Sequence, residues 1–254
     1  MTSVEFANVT KTYVVTKGKY GLLTDTIAQS LPSFGRRRSS KNTITALKNV
    51  SFKVEAGETV GVIGRNGAGK TTILKLISKI TYPNHGEVIA KGRIGAFIEL
   101  GAGLHPELSG RENIFLYGAI LGMKRREIEN KFADIVNFAQ ISKYLDLPIK
   151  KFSSGMYSRL GFSVCAFCNP DILLVDEVLA VGDVNFQTRC LEKMREFKRN
   201  SKTIIFVSHD TDAIKSICDR VIYLEKGKVA KIGKTNQVVS MYLARAKSDL
   251  ILGN

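Results

Sequence analysis

The sequence predicts an α/β protein with a mostly parallel sheet covered on both faces by helices and interrupted by an α-helical subdomain. Three observations support this. Strand-like and helix-like segments alternate along the chain, as they do where crossover helices join parallel strands. A glycine-rich turn, Gly64-Arg65-Asn66-Gly67-Ala68-Gly69-Lys70-Thr71, links a β-branched run to an amphipathic helix. A short, wholly apolar run, Ile172 to Val175, ends in two adjacent carboxylates, Asp176 and Glu177.

Taken in order, Val4 to Val9 alternates weakly and reads as a strand ending near Lys11-Thr12-Tyr13. Residues from about 14 to 44 lack strong periodicity and contain the cluster Arg36-Arg37-Arg38. Strand-like sequence resumes on both sides, so this stretch reads as an insertion within a domain and not as a linker. Ala46 to Val54 and Thr59 to Ile63 are strand candidates. Lys70 to Ile80 has helical spacing, with Ile73, Leu74, Leu76, Ile77 and Ile80 on one face. Ser109-Gly110-Arg111-Glu112 has the form of an N-cap with a glutamate three residues on, and opens a helix through Leu121. Arg125 to Phe138 is amphipathic, with Ile128, Phe132, Ile135 and Val136 inward. Gly155 to Phe167 reads as a helix. Asn185 to Lys198, Thr203 to Val207 and Thr211 to Ser216 follow as helix, strand and helix. Val221 to Leu224 and Val229 to Ile232 form a hairpin turning at Lys226-Gly227, and Asn236 to Arg245 closes the chain as a helix. The helical block from about 100 to 168 forms the subdomain, within a single domain spanning 1–254. No internal repeat is visible.

With 254 residues, 44% of them hydrophobic, the chain can bury one large core. No apolar run approaches the ~18 residues of a membrane-spanning helix. Met1 to Phe6 lacks the basic head and apolar run of a secretory signal, so the chain is expected not to cross a membrane by itself. Cys165 and Cys168 form a CxxC, but no second CxxC or nearby histidine completes a metal site. The four cysteines therefore read as core packing in a reducing compartment. The net charge of +15 favours anionic partners: nucleic acid, phosphate-rich ligands or an acidic membrane surface. Charge alone does not choose among them.

The turn from Gly64 to Thr71 fits G-x-x-x-x-G-K-[ST], after a strand and at a helix start, which is the context a phosphate loop requires. Glycines let successive backbone N–H groups point into one concavity, and the helix adds its positive end there. Gly64, Asn66, Gly67, Ala68, Gly69, Lys70, Thr71 and Thr72 are thus the candidate ATP-binding residues. Lys70 can reach the β- and γ-phosphates, and the Thr71 hydroxyl can ligate Mg²⁺. Asp176, at the carboxyl end of its strand, can hold the same Mg²⁺ directly or through water. Glu177 points elsewhere and can take a proton from the attacking water.

Between these sites lies Phe152-Ser153-Ser154-Gly155-Met156-Tyr157, and Val207-Ser208-His209-Asp210 ends a later apolar strand. In order and spacing, the motifs resemble the ATP-binding cassette of ABC transporters over about Val4 to Leu243. That resemblance implies an ATP-hydrolysing α/β core with a helical subdomain and an antiparallel β portion. It implies two copies meeting head to tail, each ATP held between one copy's phosphate loop and the other's signature segment. Ser153 and Gly155 would contact the γ-phosphate across that pair. His209 would contact the γ-phosphate and help place the water, so that Lys70, Glu177 and His209 form the catalytic set. Asp183 matches the loop that communicates between the two sites. Tyr13 is the candidate for stacking on adenine, with Tyr20 as its rival.

Two residues depart from the family pattern. Ser154 stands where the first glycine of the signature pair is usual. Glu99 stands where most members have a glutamine sensing the γ-phosphate and metal; it can still reach Mg²⁺ through water, but adds negative charge. With Glu99 to Asn113, Ser153 to Leu160 and Asp176 to Asp183, the chain is similar to the ATPases that export O-antigen and teichoic-acid polysaccharides. This implies a polytopic membrane-spanning partner subunit, a lipid-linked glycan as cargo, and a place at the cytoplasmic face of the cytoplasmic membrane. The long carbohydrate-binding tail of some members is not expected. The insertion's arginines read either as a contact for lipid headgroups or a lipid pyrophosphate, or as a solvated loop. A soluble ABC ATPase acting on nucleic acid or ribosomes is the alternative that the charge favours. Such proteins usually carry two cassettes or long coiled-coil inserts, so no nucleic acid partner is expected. A nucleotide-binding regulator without turnover is disfavoured by the intact Glu177 and His209.

Overall fold

Wholly apolar strands can only be accommodated where helices or a second sheet cover both their faces, and that requirement organises the molecule. The structure, a computed structural model, describes residues 1–15, 42–97, 103–176 and 183–251. Within them the chain begins with β1 (Thr2–Val15), β2 (Asn42–Glu55) and β3 (Thr59–Ile63), followed by α1 (Lys70–Ile77), β4 (His85–Ala90) and β5 (Ile94–Phe97). The helices α2 (Gly110–Ile120), α3 (Arg125–Ala139) and α4 (Ser154–Phe167) come next. Then follow β6 (Ile172–Val175), α5 (Val184–Arg199), β7 (Thr203–Val207) and α6 (Thr211–Ile217). The hairpin of β8 (Arg220–Glu225) and β9 (Lys228–Lys234) leads into α7 (Thr235–Ile251).

One sheet has the order β5-β6-β7-β3-β8-β9. Its strands are parallel from β5 to β8, and β9 returns antiparallel. A second, antiparallel sheet has the order β2-β1-β4. Between the two sheets lies a core to which α1 contributes Ile73, Leu74, Leu76 and Ile77, and in which Phe6 stacks on Phe52 at 4.4 Å. The opposite face of the parallel sheet is covered by a second core containing Phe162, Phe186, Met194 and Ile214. A third core, with Ile114, Ile128, Ile135 and Leu160, holds α2, α3 and α4 together as the helical subdomain. This is the predicted fold class.

The capping box is present as the sequence suggests: the Glu112 N–H donates to Ser109 Oγ at 3.2 Å, and the Ser109 N–H to Glu112 Oε2 at 2.8 Å. The four cysteines are free and buried. Burial pushes the Cys190 and Cys218 thiols up to about 12, which leaves them unreactive. No helix among the described residues is long and apolar enough to cross a membrane.

Several expectations are corrected. β1 continues through Lys11-Thr12-Tyr13 to Val15, and Val14 and Val15 pair with Thr43 and Asn42. Residues 14, 15 and 42–44 therefore belong to these two strands, which leaves 16–41 of the expected insertion between them in sequence. Those residues, with Tyr20 and Arg36 to Arg38, lie outside the described ones. The weak alternation of β1 has a cause: its register against β2 shifts four times, and Asn8 and Asn49 each adopt a φ of 51°. Bulges of this kind break the period-2 pattern. The strands β4 and β5 were not foreseen. β4 is a largely exposed pairing strand with mixed polarity, and β5 is only four residues long. α1 stops at Ile77, because Lys79 turns to a φ of 60°, and Ile80 is 56% exposed instead of facing the core.

The left-handed bulge at Asn49 gives a direct test. Asn49→Gly should leave stability nearly unchanged, whereas Asn49→Val should lose about 1–2 kcal/mol. Urea midpoints that coincide for the two variants would contradict this account of the bulge.

Candidate functional site

The first group of site residues is set where β3 ends. The chain leaves Ile63, curls through Gly64 to Gly69 and enters α1 at Lys70. Gly64 has a φ of 154°, and a Cβ there would lie 2.4 Å from the Leu224 carbonyl oxygen. Gly69 has a φ of 104°, and a Cβ would meet the Ala46 carbonyl oxygen at 2.6 Å. The loop is thus pressed between β8 and β2, and only glycine fits at either end. At Gly67, by contrast, nothing lies within 4 Å and the space is open.

Gly69, the N-cap of α1, offers no side-chain acceptor, and the first turn holds no acidic residue. The first-turn N–H groups and the positive helix end are therefore turned toward the loop's concavity. Lys70 is 7% exposed, and its Nζ donates to the carbonyls of Gly64 at 2.9 Å and Arg65 at 3.3 Å. Ala68 and Thr72 are buried, whereas Asn66, Gly67 and Thr71 are exposed. A cavity of about 370 Å³ opens beside the loop, between Arg65 to Ala68 and Tyr223 to Lys226.

Register brings two further motifs to the same edge. β7 lies between β3 and β6, with Val62 opposite Val207 and Val175 opposite Phe206. Asp176 and His209 therefore leave the sheet beside the phosphate loop. At ~4.8 Å between strands, the Asp176 backbone is about 10 Å from that of β3. Asp176 is 9% exposed, and its N–H donates to the Phe97 carbonyl at 3.0 Å. His209 is exposed on a turn fixed from both sides. The Asp210 N–H donates to Ser208 Oγ at 3.0 Å, and Asp210 Oδ1 caps α6 by accepting from Asp212 and Ala213. Ser208 and Asp210 are positioning residues that the sequence reading passed over. Their signal was the Ser-His-Asp run between a strand and a helix.

Tyr13 sits opposite Ile44, with Lys11 Nζ 5.0 Å from its ring centroid. Ile44 is two residues, or about 7 Å, from Ala46 along β2, and Ala46 abuts Gly69. By these spacings the Tyr13 backbone lies roughly 10–15 Å from Gly69. Ser153 and Gly155 belong to another part of the fold, the start of α4, where Ser153 Oγ accepts from the Met156 N–H at 3.2 Å. Glu99 and Glu177 lie outside the described residues; in sequence they follow Phe97 and Asp176 closely.

Together, these groups suit a triphosphate on the loop amides. The hard oxygens of Thr71 and Asp176 suit Mg²⁺. Among the described residues, no group of three or more His, Cys, Asp or Glu side chains forms a metal cluster, so the protein alone would not cage a cation. A cation held jointly with phosphate oxygens fits this sparse donor set.

Comparisons with known proteins agree with the geometry. The profile of the family described as ABC transporter matches residues 47–180. The chain is 41% identical to the O-antigen export system ATP-binding protein RfbB of Klebsiella pneumoniae, across 94% of the chain and 96% of that protein. It is 42% identical to the teichoic acids export ATP-binding protein TagH of Bacillus cereus, across 96% of the chain but 43% of that protein. Its fold is similar to the dimeric, post-hydrolysis structure of the ATP-binding cassette MJ0796 bound to ADP and Pi. The TM-score is 0.72 at 24% identity, covering 91% of the chain and 98% of that structure.

The packing at Gly69 predicts a functional defect. Gly69→Ala, with a strained φ and a backbone clash, should weaken nucleotide binding by about tenfold or more. Equilibrium titration with a fluorescent ATP analogue measures it, and parental affinity would refute the packing argument.

Proposed function

The chain belongs to the ABC transporter family, and on that premise we propose that it is the ATP-hydrolysing subunit of an exporter of a lipid-linked polysaccharide of the O-antigen or teichoic-acid type. One observation supports this reading above the others: the likeness to an O-antigen export subunit runs across 96% of that protein's length. The alternative, a soluble ATPase acting on nucleic acid or ribosomes, has only the charge of +15 in its favour, and the named export subunits do not favour it.

In the proposed mechanism, the amides of Gly64 to Thr72 and the ammonium of Lys70 hold the β- and γ-phosphates. Tyr13 stacks on the adenine. Thr71 and Asp176 would hold Mg²⁺, with Glu99 reaching it through water; when bound, the ion neutralises phosphate charge. Glu177 takes the proton of the attacking water, and His209, on its braced turn, orients that water against the γ-phosphate. Two copies meet head to tail, and Ser153 with Gly155 of each closes on the nucleotide of the other. The N-terminus of α4 supplies the positive helix end for that contact.

One surface feature supports the reading of a membrane partner. A cleft of about 450 Å³ lies where β5 leads toward the helical subdomain, lined among others by Ile80, Ala96, Tyr117 and Ile120. Ile80 and Ile120 are large apolar side chains, 56% and 59% exposed. An amphipathic cytoplasmic helix of the membrane-spanning subunit would cover them, placing this subunit at the cytoplasmic face of the membrane.

Two tests follow. Glu177→Gln should retain ATP binding, lose at least about 10²-fold in hydrolysis and accumulate an ATP-bound dimer on size-exclusion chromatography; full activity would exclude Glu177 as the base. Ile80→Asp with Ile120→Asp should abolish co-sedimentation with host membranes, whereas undiminished membrane association would place the docking seat elsewhere.

A further inference from the structure

The helix that follows the β8–β9 hairpin, α7, reaches the ligand edge of the parallel sheet. It starts at the opposite edge, where Thr235 Oγ1 donates to the Cys218 carbonyl at 2.8 Å just ahead of β8. Val238 and Val239 are buried in the core under the sheet. Tyr242 packs edge-on against Tyr223 of β8, with ring centroids 5.4 Å apart. From Thr235 to Arg245 the helix advances about 15 Å at 1.5 Å per residue, and β8 covers about 17 Å in its five steps. The two therefore run alongside each other and finish together. There Arg245 Nη1 donates to Glu225 Oε2 at 3.1 Å, and the Tyr223 hydroxyl donates to Glu225 Oε1 at 2.8 Å. Each carboxylate oxygen has one donor.

Glu225 stands close to the phosphate loop. The Leu224 carbonyl oxygen lies 2.4 Å from where a Cβ on Gly64 would be, which puts the Glu225 Cα within about 7 Å of the Gly64 Cα. The cavity of about 370 Å³ opens between loop and strand, and Glu225 is the only acidic residue in its lining. Arg65 and Lys226 lie in the same lining. A carboxylate there opposes the charge of a triphosphate, and over ~10 Å near a protein surface such repulsion changes affinity severalfold. Tyr223 does not offset it with charge. That residue is buried, and burial, followed by the bond to Glu225, pushes its hydroxyl up to about 12, so it stays neutral. Among the described residues, Arg245 is the cation paired with this carboxylate. The two side chains are 52% and 39% exposed, and an ion pair so open to solvent adds little to stability. Its value lies in where it sits.

We propose that Arg245 is a positioning residue for nucleotide binding. It neutralises Glu225 beside the phosphate loop and holds the carboxylate against Tyr223, so that the triphosphate meets a cavity wall without opposing charge. A helix remote in sequence from every phosphate-binding motif thereby sets part of the loop's affinity. The inference rests on nucleotide occupying the loop from Gly64 to Thr72. A pair that merely fastened α7 to β8 would act through stability, and its loss would not depend on salt or be repaired by neutralising Glu225.

The test separates charge from fold. Arg245→Met removes the charge and keeps an unbranched stem. Titrated with a fluorescent ATP analogue at low salt, it should show a Kd raised about fivefold. At about 0.15 M salt, where the Debye length falls to about 8 Å, the loss should shrink to about twofold. Adding Glu225→Gln removes the opposing charge at its source, so the double variant should return to within about twofold of the parent. Arg245→Lys should recover most of the affinity. Unchanged affinity at low salt, an equal loss at both salt concentrations, or a double variant as weak as Arg245→Met would each overturn the proposal. So would a loss that tracks a lowered melting temperature. Parental affinity in Lys70→Ala would overturn the phosphate-loop reading and this inference with it. Lost binding in Lys70→Ala beside undiminished binding in Arg245→Met overturns this inference alone.

Discussion

The register of three buried parallel strands is the constraint on which the rest depends. β3, β6 and β7 are buried at every position. They therefore lack the alternation of polar and apolar faces that usually fixes how one strand aligns with the next. Polar groups at their amino ends supply what the faces do not. The Thr203 N–H donates to the Asp171 carbonyl, the Ile204 N–H to Glu58 and the Asp219 N–H to Thr59. Asp171 is itself held by the Arg93 N–H at 2.9 Å. Once the amino ends are aligned, the carboxyl ends follow, and Gly64, Asp176 and His209 emerge side by side. Chemistry at one edge is set by hydrogen bonds at the other.

The phosphate loop illustrates how rigidity is built without ligand. Its three left-handed glycines would be costly in a free chain, because glycine loses the most entropy on ordering. Here β2 and β8 press on the loop from either side, and the buried Lys70 ammonium bonds two of its carbonyls. A buried ammonium demands such partners. The lysine thus holds the loop curled by bonding two of its carbonyls from within. The same close packing removes room for a side chain at Gly64 and Gly69.

Most of the site could be read from the sequence because its motifs are local. A phosphate loop needs eight contiguous residues, and an apolar strand ending in Asp-Glu needs seven. β3, β6 and β7 were legible to the residue, since unbroken apolar runs leave little ambiguity. What was missed depended on long-range partners. β4 is a strand only because β1 offers it an edge, and the bulges of β1 follow from its pairing with β2. Arg159 and Asp183 are 24 residues apart; neither has a local pattern announcing the other. Ser208 and Asp210 do flank His209 in a local run, but their bracing bonds to the turn and to α6 appear only in the fold.

The packing of α4 decides what kind of motion the subdomain can make. Phe162, Cys165 and Ala166 face the core under the sheet. Leu160, Val164 and Cys168 face the subdomain core. A helix buried on both sides cannot slide past one neighbour without dragging the other. Its carboxyl end is pinned as well, since Arg93 Nη1 donates to the Cys168 carbonyl at 3.0 Å. Its amino end is looser: Ser153 and Ser154 are exposed. Arg159 lies between these two ends, and its bond to Asp183 at 2.6 Å ties the middle of the helix to the start of α5.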